Sequence, residues 1–153
     1  VFTTCGIGQI TEYARLPDGR FNIVVLGLGR ARILEELRSE PYRVARVRSL
    51  SDEKPTAPMV AETLRTELLK LVHRAAPHLS GPAKEIETRM RAARDGGECA
   101  DILAGTLLED PDERQALLEE LDSTRRLTTL IAHVHRLSAK LPGLAVGAPQ
   151  RMN

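Results

Sequence analysis

Aromatic side chains make up only 3% of this chain, and only two of its 153 residues are cysteine. So few aromatics leave little on which bases could stack, which counts against a single-stranded nucleic-acid platform. Cys5 and Cys99 lie far apart. They can form neither a disulfide framework nor the paired spacing of a zinc site, and are read as free buried thiols in a reducing compartment. No apolar run approaches the roughly 20 residues that span a bilayer, so no membrane partner is expected. The opening Val1-Phe2-Thr3-Thr4 lacks the basic start and apolar stretch of a signal peptide, and a cytoplasmic location is the default expectation. Because the chain starts with Val and enters a strand pattern almost at once, further residues are expected before Val1 in the natural protein. A formal net charge of +1 points neither to a general polyanion binder nor to an acidic solvating chain.

Catalytic patterns are missing as well. Val24-Val25-Leu26-Gly27-Leu28-Gly29 resembles the start of a dinucleotide fingerprint, but Arg32 stands where the third glycine belongs and no amphipathic helix follows. A plain glycine corner between strands is the better reading. There is no Gly-x-x-x-x-Gly-Lys-Ser/Thr loop for ATP. His133 and His135 are two residues apart, which on a helix turns them about 200° from each other, whereas helical ligand pairs sit at i and i+4. His73 and His78 have no acidic or cysteine neighbour in sequence and read as surface or helix-end residues. Ser138 and Lys140 are separated by the same helical geometry, with no strained elbow beside the serine. No catalytic residue, metal site or cofactor is therefore assigned.

What is present is a chain of two halves. With 42% hydrophobic and 28% charged residues, it has the composition of a globular protein, and at this length about 68–70% of its unfolded surface can be buried. Residues 1–50 are rich in β-branched and aliphatic side chains, which predicts antiparallel strands. Ile7–Leu16 is the first, and Leu16-Pro17-Asp18-Gly19-Arg20 supplies a hairpin turn. Phe21–Leu26 reads as an apolar strand covered on both faces, Gly27-Leu28-Gly29 as a sharp bend, Ala31–Leu37 as a further strand, and Tyr42–Leu50 as an outer strand with a bulge.

Residues 51–58, with two prolines and several charges, read as a linker. Residues 59–142 then change to helical periodicity. Val60, Leu64, Leu68, Leu71 and Val72 form one stripe along Met59–Ala76. A weaker helix runs over Pro82–Arg94 and is ended by Gly96-Gly97. A third covers Glu98–Leu108. Asp110-Pro111-Asp112-Glu113 has the N-cap, first-turn proline and capping-box acid of a fourth, an arrangement worth about 1 kcal/mol. Asp122 caps a last helix carrying Leu127, Leu130, Ile131, Val134, Leu137 and Leu141, stopped by Leu141-Pro142-Gly143. Residues 143–153 read as a flexible tail.

Four motifs in the strand half arrive in the order seen in one family: Gly6-Ile7-Gly8-Gln9-Ile10, then Leu16-Pro17-Asp18-Gly19-Arg20-Phe21-Asn22-Ile23, then Gly27-Leu28-Gly29-Arg30-Ala31-Arg32-Ile33, then Pro41-Tyr42 with Val44-Ala45-Arg46-Val47. Ala100-Asp101-Ile102-Leu103-Ala104, Gln115-Ala116-Leu117-Leu118-Glu119 and Arg126-Leu127 continue the series. Together they make the chain similar to the amino-terminal domain of Lon proteases, in a standalone form without ATPase or peptidase parts.

The resemblance implies an α+β fold: a PUA-like antiparallel β pseudobarrel, incomplete at its N-terminus, followed by an α-helical bundle. It also implies a non-catalytic module that binds unfolded or damaged polypeptides, or acts as an adaptor in proteolysis. An incomplete barrel would leave an exposed edge, inviting strand addition by a peptide or a homodimer. Tyr13, Phe21 and Tyr42 are the candidate contact residues, since aromatics are common anchors. The alternative is an RNA-binding module that uses the basic surface of Arg30, Arg32, Arg43, Arg46 and Arg48. With so few aromatics nearby, and Glu35, Glu36 and Glu40 available as partners, nucleic acid is the less favoured ligand.

Overall fold

The computed structural model describes residues 2–38, 40–76 and 83–140. Among these, three strands precede five helices: β1 (Thr4–Arg15), β2 (Phe21–Arg38) and β3 (Val44–Leu50), then α1 (Pro58–Ala75), α2 (Ala83–Ala92), α3 (Gly96–Leu107), α4 (Pro111–Glu119) and α5 (Ser123–Lys140). The chain divides into two compact units, residues 1–51 and 52–153.

The first unit is an open antiparallel sheet in the order β1-β2-β3. Its hairpin turn forms as its residue types dictate. Gly19 takes φ +86°, Gly19 N–H donates to the Leu16 carbonyl at 3.0 Å, and Asp18 Oδ1 accepts from Arg20 N–H at 3.1 Å. The expected bend at Gly27-Leu28-Gly29 is not a bend between two strands. β2 runs unbroken through it, and the irregularity is taken up as a bulge in which Ile7 faces Gly29, Gly8 faces Gly27, and Leu28 is the extra residue.

The bulges expected on the outer strand lie instead on the central one. Leu34 and Leu37 of β2 have no partner in β3. Only Arg30–Arg32 of β2 pair on both sides, because β1 pairs residues 21–32 and β3 pairs residues 30–38. The sheet is thus two ribbons joined over three residues.

That geometry overturns one sequence expectation. Phe21–Leu26 is not covered on both faces, since every residue from Phe21 to Leu26 is exposed. With one partner strand among the described residues, this apolar run stays exposed.

The second unit packs its helices around Leu68, Leu71, Val72, Met90, Cys99, Ala100, Leu103, Leu108, Leu117, Leu127, Leu130 and Val134. Most of the stripe residues read from periodicity are here. Val60 is an exception: it is exposed, and Ala61 is the residue that turns inward. Ile131 and Leu137 are half-buried, while Leu141 and the proposed stop at Leu141-Pro142-Gly143 lie outside the described residues. So do the tail and His78.

Gly96-Gly97 does not end α2 but opens α3, with Asp95 as N-cap accepting from Glu98 N–H at 2.8 Å. Asp110 caps α4 through Asp112 N–H at 2.8 Å. The expected capping-box acid Glu113 turns away, toward His133 and Arg136 of α5, both at 3.4 Å. Asp122 caps α5 by accepting from Thr124 N–H at 2.7 Å.

Residues 51–58 include more than a linker. Glu53 N–H donates to the Leu121 carbonyl at 2.9 Å, and Asp52 grips Arg126, whose side chain is 0% exposed. One guanidinium nitrogen lies 2.9 Å from Asp52 Oδ1 and the other bonds Asp52 Oδ2. The Glu120 carbonyl accepts at 3.0 Å and Asp101 stands at 3.6 Å. Burial works against the charge of Arg126. The hydrogen bonds to Asp52 and the carboxylates of Asp101 and Asp52 outweigh it and hold the guanidinium above its ordinary pKa.

Gly97 is part of this cluster. A Cβ there would sit 2.6 Å from an Arg126 nitrogen and closer still to Asp52 Oδ2. Gly97→Ala should therefore destabilise the helical unit by about 2 kcal/mol, because the atoms it displaces are pinned in an ion pair. Urea unfolding followed by helical circular dichroism checks this. A cost below about 0.5 kcal/mol, the level of an ordinary surface change, would mean the ion pair yields freely.

Candidate functional site

The two faces of the β1–β2 ribbon can be followed through the register, because directly opposed residues share a face and alternate along each strand. One face carries Ile10 opposite Val25, Tyr13 opposite Ile23 and Arg15 opposite Phe21. All of these side chains are exposed, Tyr13 at 75%. Tyr13 and Phe21 meet with ring centroids 6.2 Å apart at 57°, a tilted contact typical of aromatic pairs. The opposite face exposes Val24 and Leu26.

One face of the ribbon is therefore largely apolar, and the other exposes Val24 and Leu26 beside Gln9, Glu12 and Asn22. The outer edge of β2 from Phe21 to Gly29 has no strand partner among the described residues. Such a two-stranded ribbon is marginal by itself in water, and its exposed apolar side chains make it the candidate site.

Of the three aromatic candidates, Tyr13 and Phe21 are brought together and Tyr42 is not. Tyr42 lies beyond the other end of β2, with the Arg38 guanidinium 4.7 Å from its ring centroid. Ile10, Ile23 and Val25 share a face with the first pair and are not among the sequence candidates, Ile23 and Val25 because their strand reads as covered.

The arginine candidates are likewise split. Arg43 is held by Glu36 through two hydrogen bonds of 2.8 Å, which lower the Glu36 pKa and raise that of Arg43. Arg46 pairs with Glu35 at 3.1 Å. Arg30, Arg32 and Arg48 share a face, with Arg32 directly opposite Arg48.

The remaining chemical candidates resolve into structural roles. His73 has an acidic partner after all, Glu87 at 3.1 Å, brought from fourteen residues away by α2. Hydrogen bonds from Arg91 and then His73 lower the Glu87 pKa. Cys99 is buried and Cys5 half-buried; burial pushes the Cys99 thiol up and makes it a poor nucleophile. Ser138 is buried and His135 exposed. Among the described residues no group of three or more His, Cys, Asp or Glu side chains is placed to hold a metal ion, and no helix is long and apolar enough to cross a membrane.

Residues 1–136 match the family model of the ATP-dependent protease La (LON) substrate-binding domain. The chain belongs to this family. The Lon protease of Trichlorobacter lovleyi is 30% identical over 145 residues, covering 90% of this chain and 17% of that protein. Lon protease 2 of Myxococcus xanthus is 26% identical over 139 residues, 89% of this chain and 16% of its own length. The chain thus spans about a sixth of the curated Lon proteases it matches.

Among solved structures, the N-terminal domain of Mycobacterium avium complex Lon protease superposes with a TM-score of 0.67 at 22% identity, over 86% of this chain and 69% of that one. A Lon N-terminal domain protein from Xanthomonas campestris gives 0.54 at 21% identity, over 86% and 68%. These two likenesses establish the α+β fold of Lon N-terminal domains.

Proposed function

We propose that this Lon substrate-binding domain captures unfolded or damaged polypeptides without catalysing a reaction on them, and so serves as a recognition or adaptor module for proteolysis in the cytoplasm. What supports this reading is the β1–β2 ribbon, with apolar residues exposed on both faces and the β2 edge open from Phe21 to Gly29. An extended chain can add to that edge by main-chain hydrogen bonds while its side chains settle against Tyr13, Phe21, Ile23 and Val25. Main-chain pairing is indifferent to sequence, which suits a receptor for many unfolded chains. A homodimer through the same edge is the competing occupant, and sedimentation of the domain with and without polypeptide separates the two.

Fluorescence anisotropy of a labelled, permanently unfolded polypeptide tests the proposal. Saturable binding that persists in high salt is expected, and Tyr13→Ser combined with Phe21→Ser should weaken it about tenfold, or about 1.4 kcal/mol. Tyr42→Ser, at the far end of β2, should change it less than twofold. No association at about 50 μM, a concentration where even weak micromolar binders register, would defeat the proposal. Steeply salt-dependent association with single-stranded RNA alone would transfer the role to the arginines. Arg43 and Arg46 are already neutralised by Glu36 and Glu35, which weighs against that outcome.

A further inference from the structure

The face that carries Tyr13 and Phe21 changes character along its length. Following β1 by alternate residues from Ile10 leads to Gly8, Gly6 and Thr4, which stand opposite Gly27, Arg30 and Arg32, and Arg32 in turn faces Arg48 of β3. A Cβ at Gly6 or Gly27 would meet no atom within 4 Å, so the backbone is bare at these two positions, whereas the Val25 side chain lies over Gly8. The surface therefore reads as an apolar patch, a glycine floor and an arginine end. Arg46, next but one to Arg48, is neutralised by Glu35.

Arg32 and Arg48 are different. They are exposed and directly opposed in the ladder, and neither is seen with an acidic partner among the described residues. Like charges directly opposite across a sheet are destabilising. Residues 1–51 contain no lysine, so every basic side chain of this sheet is the planar, multidentate kind that fits a carboxylate.

We infer that the polypeptides this domain prefers carry an acidic side chain about six residues from an apolar pair, the carboxylate seated between Arg32 and Arg48 and the apolar residues against Ile10, Val25 and Tyr13. The spacing follows from the register. Thr4, opposite Arg32, and Ile10, opposite Val25, are six residues apart on β1, about 20 Å at roughly 3.3 Å per residue, and an extended guest that leaves the open β2 edge at Gly29, where β3 begins, and continues over this face has the same rise. Charge complementarity selects the occupant: an apolar surface alone would take any extended chain, whereas two unneutralised guanidiniums beside it ask for a carboxylate. This inference rests on the polypeptide-binding reading above and adds a substrate class to it.

The test compares two fluorescein-labelled peptides, rich in threonine and serine. One has an isoleucine–valine pair with an aspartate six positions away, and the other has asparagine in place of the aspartate. The aspartate peptide should bind about fivefold more tightly at low salt, the scale of one partly exposed charge-assisted contact. At about 0.5 M salt, where charges are screened within a few ångströms, the difference should vanish. Arg32→Gln with Arg48→Gln should abolish the preference and leave asparagine-peptide binding unchanged; both positions are exposed, so the fold tolerates the change.

Equal affinity for the two peptides, or a preference that survives the double substitution, overturns the inference while polypeptide binding itself stands. If neither peptide nor an unfolded protein associates, both readings fall together. If single-stranded RNA displaces the aspartate peptide at stoichiometric concentration, the arginines form a phosphate site and the inference is wrong.

Discussion

Asp52→Ala is expected to destabilise the helical unit by about 3 kcal/mol, more than any surface substitution in the chain. Arg126 is fully buried in α5, and its Nε already has no hydrogen-bond partner. Two of its other bonds go to the Asp52 carboxylate. Removing that carboxylate leaves a desolvated cation with only the Glu120 carbonyl at 3.0 Å and Asp101 at 3.6 Å. A buried charge stripped of its partner costs several times what an exposed ion pair contributes, because the desolvation has already been incurred and the attraction that offset it is gone.

Arg126→Met should cost less than Asp52→Ala, since the Asp52 side chain is 36% exposed and water can take over its solvation. In the double variant the two costs should fall short of their sum by at least about 1 kcal/mol, the signature of coupled partners. Urea denaturation read at a helical circular-dichroism band measures all three. Additive costs would mean that the pair is incidental and that Asp52 acts through its backbone alone.

Leu130→Ala is expected to cost about 3 kcal/mol by the same measurement. Leu130 is fully buried in the core cluster, on the helix that packs against both α1 and α3. Truncation loses the transfer free energy of the removed methyl groups, and rigid neighbours on two sides cannot collapse to fill the cavity. Met59→Ala is the matched control. Met59 is 83% exposed on α1 and its truncation should stay within about 0.5 kcal/mol. If the two variants unfolded at the same urea concentration, Leu130 would not be a core residue.

The helical half is most legible in the sequence where one periodicity dominates. The stripe of α5 repeats at three and four residues, so Leu127, Leu130 and Val134 could only be buried together. Asp110-Pro111 could hardly be anything but a helix start. Local chemistry also explains the turn at Leu16–Arg20, where an aspartate and a positive-φ glycine act on their own neighbours.

The errors have a shared cause. Gly96-Gly97 has the composition of a helix end, whereas here the missing side chain of Gly97 makes room for an ion pair that joins residues 74 positions apart. Glu113 has the spacing of a capping box but reaches α5. The run from Phe21 to Leu26 has the composition of a buried strand, and composition does not say whether a neighbour will cover it. One signal for the buried arginine was available: Arg126 stands four residues before Leu130, on the stripe itself.

The sequence by itself determined that this chain is α+β, with strands first and helices after, and through its ordered motifs it pointed to the Lon substrate-binding family. Period, turn chemistry and caps act over a few residues, and a few residues are enough to specify them. Tertiary structure alone decided which apolar residues stay exposed, that Tyr13 and Phe21 meet while Tyr42 does not, and that Arg32 faces Arg48 across the ladder. Each of those depends on strand register and on what covers a face, and these arise from pairings between residues far apart in the chain, where spacing along the sequence carries no information.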